Sequence, residues 1–382
     1  MKVTYIAVFD GNEYSGITKK IVSQAKYLRE TGLDLTLIFL ANRQVEFNQR
    51  YIKTCYCPTP PFKNFAHKLY YAMSVAKNIS KILKQYNIVY CRSVPPSPFL
   101  LKSISKKGES KFIFEMQSIT ENEAQLRNSK LNLLCSRFLF PAIFTKIDGI
   151  VGVTSEITKH YLNLSRDSSK PYLTIGNGIK ATDFKVRQTP LYSNDRLELL
   201  IVANFQKWHG VDRLIKGISE YKGETNIILN IVGKGSAIQE LKDLTSKLRL
   251  GDKVLFHGFR SGKELDILFD QCHIAVGSLG IHRIGLKEAS ILKAREYCAR
   301  GIPFISAFKD PDFRDGFPYI KRFPADESPI DINAVMDFAE TVLSDDNYSI
   351  NMNNYAKEHL DWSIKMKKLS DFLKELSHNE NT

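Results

Sequence analysis

The sequence predicts an α/β fold of two Rossmann-like, doubly wound domains facing across a cleft. Three observations predict it. Short apolar strand segments alternate with amphipathic helical segments along the chain. The alternation stops at a polar linker, Phe184–Arg196 with Pro190, and then restarts. At 382 residues the chain also exceeds one comfortable core. The domains are expected at 1–184 and 185–354, followed by a C-terminal helix, 355–382, long enough to reach back to the first domain.

The first half opens with Val3–Phe9, an apolar run that reads as a buried strand rather than a signal peptide, because Asp10 interrupts it at once. A Gly11–Gly16 turn leads to a helix over Ile17–Thr31 with Ile21, Ala25 and Leu28 inward. Leu35–Leu40 is the next strand. A helix near Ala66–Gln85 leads into strand Ile88–Cys91, and one near Pro98–Ser105 into strand Phe112–Met116. A helical zone from Glu121 to Thr145 precedes Gly149–Val153. In the second half, Leu197–Val202, Asn226–Val232, Val254–Phe256, His273–Val276 and Phe304–Ile305 read as strands. Helices near Val211–Ser219, Ser236–Arg249, Lys263–Gln271 and Ile332–Leu343 alternate with them, and a last helix covers Tyr355–Leu376. Such folds meet ligands at the carboxyl ends of strands. The loops that matter are therefore Gly11–Gly16, Cys91–Pro98, Met116–Glu123, Asn204–Gly210, Gly233–Ser236 and Ser278–Glu288.

Composition narrows the function classes. Hydrophobic residues make up 43% and charged residues 25%, as in soluble globular proteins. No apolar run reaches the length of a membrane span. The six cysteines form no Cys-x-x-Cys pair and no zinc spacing with histidine, so reduced, buried thiols are expected. The net charge of +13 is uneven: residues 61–111 hold ten basic side chains, from Lys63 and Lys68 to Lys111, and one acid, Glu109. Phe65, Leu69, Tyr70, Met73, Ile79, Ile82 and Leu83 recur there at roughly helical spacing. A basic amphipathic helix suits an anionic membrane surface, and a core-facing helix with a solvated basic back fits equally. The stretch lacks a recognition-helix pattern and a zinc motif, which argues against nucleic acid.

The pair Glu288 and Glu296, eight positions apart ahead of Gly301-Ile302-Pro303, carries the chemistry. The spacing predicts a helix from about Ala289 to Arg300 with Ile291, Leu292, Ala294, Tyr297 and Cys298 inward, stopped by Gly301 and Pro303. Eight residues of helix rise about 12 Å and rotate about 80°, so both carboxylates can flank one elongated ligand. Between them the helix start at Ala289, Ser290, Ile291 and Leu292 presents N–H groups and a positive dipole to a phosphate. Carboxylate, phosphate seat and carboxylate match the sugar, diphosphate and ribose of a nucleotide sugar. The alternative is structural: Glu296 can pair with Arg300 at i+4, and Glu288 can be an acid near a helix start.

These segments resemble the retaining glycosyltransferases of family 4, which have the GT-B fold. The resemblance rests on Tyr14-Ser15-Gly16, Ile150-Val151-Gly152-Val153-Thr154-Ser155, Ile175-Gly176-Asn177-Gly178-Ile179, Leu200–Asn204, Ile231-Val232-Gly233-Lys234-Gly235, Val254–Gly258 and the glutamate pair. It implies that Glu296 holds the ribose and Glu288 the transferred sugar. It implies that Gly16 leaves room for the diphosphate, with Gly233, Lys234 and Gly235 beside the nucleotide. The family's arginine and lysine for the diphosphate are replaced by Asn204 and His209. Lys207, Lys287 or Arg283 then has to supply the charge, with His209 as a hydrogen-bond donor. The family's glycines after the first glutamate are replaced by Ala289 and Ile291. The resemblance implies no metal and no other cofactor, and Asp310 and Asp312 read as a turn.

The expected activity is retaining transfer of a hexose or N-acetylhexosamine from a nucleotide diphosphate sugar, UDP-sugar favoured. The acceptor is a saccharide or lipid-linked saccharide, in surface polysaccharide assembly at the cytoplasmic face of a membrane. Glu115, Gln117 and Glu121, at a strand end, are the acceptor-side candidates. The alternative is a non-catalytic GT-B subunit that binds a partner enzyme or a glycan.

Overall fold

The computed structural model describes residues 1–9, 11, 15–57, 65–92, 94–126, 129–188, 190–193 and 195–378. Asp10, Tyr14 and Lys63, named above, lie outside them, as do the side chains of Phe65, Ala66 and Lys68. The chain forms two units, Met1–Gly176 with Trp362–Thr382, and Asn177–Asp361. The division falls earlier than the polar linker because residues after Gly176 are already tied to the second unit. Asn177 donates its backbone N–H to Ser290 Oγ at 2.7 Å, and Ala181 is fully buried in the second core.

In the first unit the described strands are β1 (Lys2–Val8), β2 (Asp34–Ala41), β3 (Ile52–Tyr56), β4 (Ile88–Arg92), β5 (Lys111–Met116), β6 (Gly149–Gly152) and β7 (Tyr172–Thr174). They pair in parallel in the order β3-β2-β1-β4-β5-β6-β7. Helices α1 (Gly16–Glu30), α2 (Phe65–Ile82), α3 (Pro98–Ile104), α4 (Thr120–Leu126), α5 (Lys130–Lys146) and α6 (Ser155–Ser165) connect them. Val3, Tyr5, Ile6 and Ala7 have no exposed surface. Both faces of β1 are thus covered, which is why it reads as an unbroken apolar run. Helix α1 starts where Ser15 Oγ accepts the Thr18 N–H at 3.0 Å.

In the second unit the strands are β8 (Arg196–Asn204), β9 (Asn226–Lys234), β10 (Val254–Gly258), β11 (Ile274–Val276), β12 (Phe304–Ser306) and β13 (Ile320–Arg322). They pair in parallel as β10-β9-β8-β11-β12-β13. Helices α7 (Val211–Glu220), α8 (Ile238–Lys247), α9 (Lys263–Gln271), α10 (Leu292–Arg300), α11 (Ile332–Leu343) and α12 (Tyr348–Tyr355) complete it. The strand order reverses between β8 and β11, so the loops after these two strands flank a switch-point crevice.

The last helix departs from expectation. A wide turn over Ala356–Leu360 ends α12, and α13 (Trp362–His378) starts afresh. Between them Asp361 is extended, with φ −68° and ψ 143°. The break is tertiary: Leu360 O accepts the Ile179 N–H at 2.9 Å, and Asp361 Oδ2 accepts the Ala181 N–H at 3.0 Å. Helix α13 then packs in the first unit through Met366, Leu369 and Leu373, all fully buried. Thr31 Oγ1 and Ser370 Oγ meet at 2.8 Å.

Strands β3, β7 and β13, absent from the sequence reading, are all edge strands. Their residues are short of apolar content because one side of the ladder is unpaired and their side chains are half-exposed. Among the cysteines, Cys57, Cys91, Cys272 and Cys298 are buried, Cys55 and Cys135 half-buried, and all six are free thiols.

Candidate functional site

The ends of β8 and β9 set the first wall of the crevice in the second unit. Ala203 pairs with Gly233 and Asn204 with Lys234, and the Phe205 N–H donates to Lys234 O at 2.6 Å. Gly233 and Gly235 lie at φ +132° and +150°. A Cβ on Gly233 would overlap Ala203 O, and one on Gly235 would overlap the Phe205 backbone. Glycine at both positions is therefore explained by backbone approach. Asn204 and Lys234 are exposed at this rim.

A short turn over Lys207–His209 follows β8. His209 Nδ1 accepts the Gln206 N–H at 3.0 Å, which leaves Nε2 as the protonated donor. Burial and the nearby charge of Lys293 push the His209 pKa down to about 2, against the Gln206 backbone bond. His209 is thus neutral. Its carbonyl accepts the Leu279 N–H at 2.8 Å, so the loop lies on the segment after β11. Gly210, at φ +63°, permits that contact, because a Cβ there would overlap the Leu279–Gly280 backbone.

Two expected phosphate cations are occupied by protein. Arg283 forms two 2.8 Å bonds to Asp212 and a third at 2.9 Å to Glu327. The Asp212 and Glu327 hydrogen bonds raise its pKa, and the Arg283 bond pulls Glu327 down to about 2. Arg283 is a clamp between α7 and the 326–328 segment. Lys207 Nζ sits 3.0 Å from Glu240 with both side chains 63% exposed, a pair of little energetic weight.

The glutamate pair sits on a different frame from the one expected. Helix α10 begins at Leu292, not Ala289. Lys309 donates its N–H to Lys287 O and accepts the Ala289 N–H, both at 3.0 Å, so 287–289 is held as a strand-like bridge. Asn177 Nδ2 donates to Ser290 O, and Ser290 Oγ accepts from the Asn177 backbone. Ile291 is the extended N-cap. Ala289, Ser290 and Ile291 therefore precede the helix, and only Leu292 among the four expected residues supplies a first-turn N–H. Glu288 is half-buried on the bridge, and Lys287 is exposed. Glu296 is half-buried on α10, and Arg300 Nε donates to its Oε1 at 2.9 Å, so the i+4 pair is real. Arg300 also meets Asp266 at 2.9 Å and stacks on Phe269.

The sequence missed what holds the start of α10. Arg295, fully buried, donates to Asn177 O at 2.9 Å, to Ile291 O at 3.3 Å and to both carboxylate oxygens of Asp310, and it reaches Asp312. Burial works against its charge, but Asp310 and Asp312 outweigh burial and raise its pKa. The turn at Asp310–Asp312 is thus the anion for Arg295. Lys293 was missed as well. Its position three before Glu296 and four before buried Tyr297 was the available signal. Asn177 Oδ1, Ser278 Oγ and Lys293 Nζ are buried there without hydrogen-bond partners among the described residues.

The first unit holds the acceptor-side candidates. Gly16 opens α1, and a side chain there would meet nothing within 4 Å. Glu115, an acceptor-side candidate, is buried at 2% exposure and accepts from Tyr5 Oη at 2.7 Å and from Gln117 Nε2 at 2.6 Å, with Lys20 at 3.5 Å. Burial pushes its carboxyl up, but Lys20, Arg92 and Tyr5 outweigh that and hold it below the usual range. It organises Lys20 and Gln117, themselves 2.6 Å apart. Glu121, in the first turn of α4, lies 3.6 Å from His160. Among the described residues no group of His, Cys, Asp or Glu could hold a metal ion, and no helix is long and apolar enough to cross a membrane.

No curated protein matches the sequence. Solved structures share its fold. Sucrose-phosphate synthase from Thermosynechococcus elongatus superposes with a TM-score of 0.70 at 15% identity, over 98% of each chain. A glycosyltransferase from Rickettsia africae gives 0.67 at 16% identity, over 99% of each. Anabaena HepE in complex with UDP gives 0.67 at 13% identity, over 98% of this chain and 100% of that one. Residues 184–359, which include every site segment after β8, match the family described as glycosyl transferases group 1. The chain therefore shares the GT-B fold of these structures, and its match to the group 1 glycosyl transferases lies in the C-terminal unit.

Proposed function

We propose that this protein transfers a hexose or N-acetylhexosamine, with retention and without a metal ion, from a nucleotide diphosphate sugar to a saccharide or lipid-linked saccharide. A UDP-sugar is the favoured donor. The observation that carries the reading is that the His209 loop after β8 lies on the segment after β11, which leads through the Glu288 bridge into α10. HepE, of the same fold, has been solved with UDP-glucose. In the proposed reaction the acceptor oxygen bonds to the anomeric carbon. The carbon–oxygen bond to the β-phosphate breaks with its electron pair on the phosphate oxygen, and the hydroxyl proton leaves with the diphosphate. His209 and the α10 N–H groups stabilise that growing charge. Glu296, shared with Arg300, orients the ribose, and Glu288 the sugar.

The test incubates the purified chain with UDP-, GDP- and ADP-sugars plus EDTA and follows nucleoside diphosphate release and the product anomer by NMR. Release from one donor with the anomeric configuration kept is expected. Binding of a donor without any turnover would instead favour the non-catalytic subunit.

The acceptor side rests on the first unit. Ile79, Ile82 and Leu83 are buried, whereas Tyr56, Leu69, Tyr70 and Met73 are between 41% and 63% exposed. They border or neighbour a groove of about 550 Å³ lined also by Lys77, Lys81 and Lys102. This apolar and cationic face suits an anionic bilayer, each lysine contributing about 1 kcal/mol near the surface. We place the protein at the cytoplasmic face of a membrane. In flotation, vesicles with 30% anionic lipid, a typical test composition of about that charge, should carry the protein up and neutral ones should not. Equal failure with both would leave a soluble acceptor.

A further inference from the structure

We propose that Lys293 is the cation that holds the donor diphosphate, in place of the family arginine and lysine that Asn204 and His209 have replaced. This rests on the donor reading above. Lys293 is the second residue of α10, a helix of nine residues. Long side chains on a helix point back toward its N-terminus. Lys293 stands in the turn of α10 whose N–H groups have no partner within the helix, and its charge is felt by His209 on the loop after β8. Among the described residues Nζ is buried with no hydrogen-bond partner, although the residue as a whole is partly exposed. A buried, unpaired ammonium is costly and rare, and calls for an anion.

Among the described residues no carboxylate provides that anion. Burial alone lowers the Lys293 pKa, to about 7, and no carboxylate offsets it. Among the charged groups of the surrounding segments, Glu296 is bonded to Arg300 and Arg295 to Asp310 and Asp312. Lys207 is paired with Glu240, and Arg283 with Asp212 and Glu327. Glu288 and Lys287 lie on the bridge before the helix, and Lys234 at the β9 rim. His209, from the β8 loop, senses the Lys293 charge and is neutral because of burial and that charge. A neutral N–H donor and one titrating cation thus replace two fixed cations. A diphosphate diester, which carries its charge at every working pH, would draw a proton onto Lys293 as it binds.

Calorimetry of UDP-glucose, GDP-mannose and ADP-glucose binding in buffers of differing ionisation enthalpy reads that proton. Sugar nucleotides are chosen because their phosphates do not titrate near neutrality. Whichever binds should take up nearly one proton at pH 8, where free Lys293 is mostly neutral, and little at pH 6, where it is already charged. Lys293→Met should abolish the uptake and weaken binding roughly 10- to 100-fold, as expected for one charge-assisted bond. Lys293→Arg should restore affinity without uptake. Because methionine removes a buried ammonium, the apo variant should melt no lower than the wild type at pH 7, so misfolding cannot mimic the result. Wild-type binding without proton uptake at pH 8, or Lys293→Met binding as tightly as wild type, would overturn the Lys293 assignment and leave the donor reading intact. Absence of binding by all three wild-type pairs would remove the donor reading and this assignment together.

Discussion

Arg295→Ala should destabilise the C-terminal unit by about 3–5 kcal/mol, the range for breaking a buried ion pair by removing one partner. The guanidinium is fully buried and bridges Asn177 O, Ile291 O, Asp310 and Asp312. Its loss strands the Asp310 carboxylate at 4% exposure and frees the segment that leads into α10. Removing both charges is a smaller insult, since replacing a buried pair by apolar side chains is often near neutral. Arg295→Leu/Asp310→Leu should therefore recover much of the loss, Asp312 being more exposed. Urea unfolding of the single and double variants measures both terms. A single-variant loss under about 1 kcal/mol, or a double variant worse than the sum of the singles, would mean that Arg295 is not the keystone of this segment.

Glu288→Gln should reduce kcat/KM for the donor sugar by roughly 10- to 100-fold, the value of one hydrogen bond to a charged acceptor. The main-chain bridge around residue 288 should persist. The bridge that positions residue 288 uses only main-chain groups of Lys287, Ala289 and Lys309, which glutamine leaves untouched. Glu296→Gln is the informative contrast. It also breaks the 2.9 Å bond to Arg300, so it should lose both stability and donor affinity. Steady-state kinetics with thermal melts separate the two. Full activity in both variants would end the assignment of this pair to the donor.

The architecture was legible because burial imposes periodicity. Central strands such as β1 and β8 are covered on both faces and read as apolar runs. Helices α9 and α11 were read at their observed limits, Lys263–Gln271 and Ile332–Leu343. The end of α10 was equally readable: Gly301 caps it at φ +72°, where a side chain would overlap the Ser349 backbone. Edge strands β3, β7 and β13 escaped, since half-exposed ladders need no apolar run.

At the site, local sequence determined the residue types and their order: a histidine, two glutamates and a helix start. Which of the charged groups are spent on the protein was decided by tertiary structure. Arg283 looks like a phosphate ligand until Asp212 and Glu327 are seen around it, and Lys293 looks like a surface lysine until its head group is seen to be buried. The start of α10 moved from Ala289 to Leu292 for the same reason, because Asn177 and Lys309 hold the intervening backbone extended. Helical spacing is a property of neighbours in the chain, whereas charge pairing and desolvation depend on residues more than a hundred positions away, as Asn177 is from Ser290.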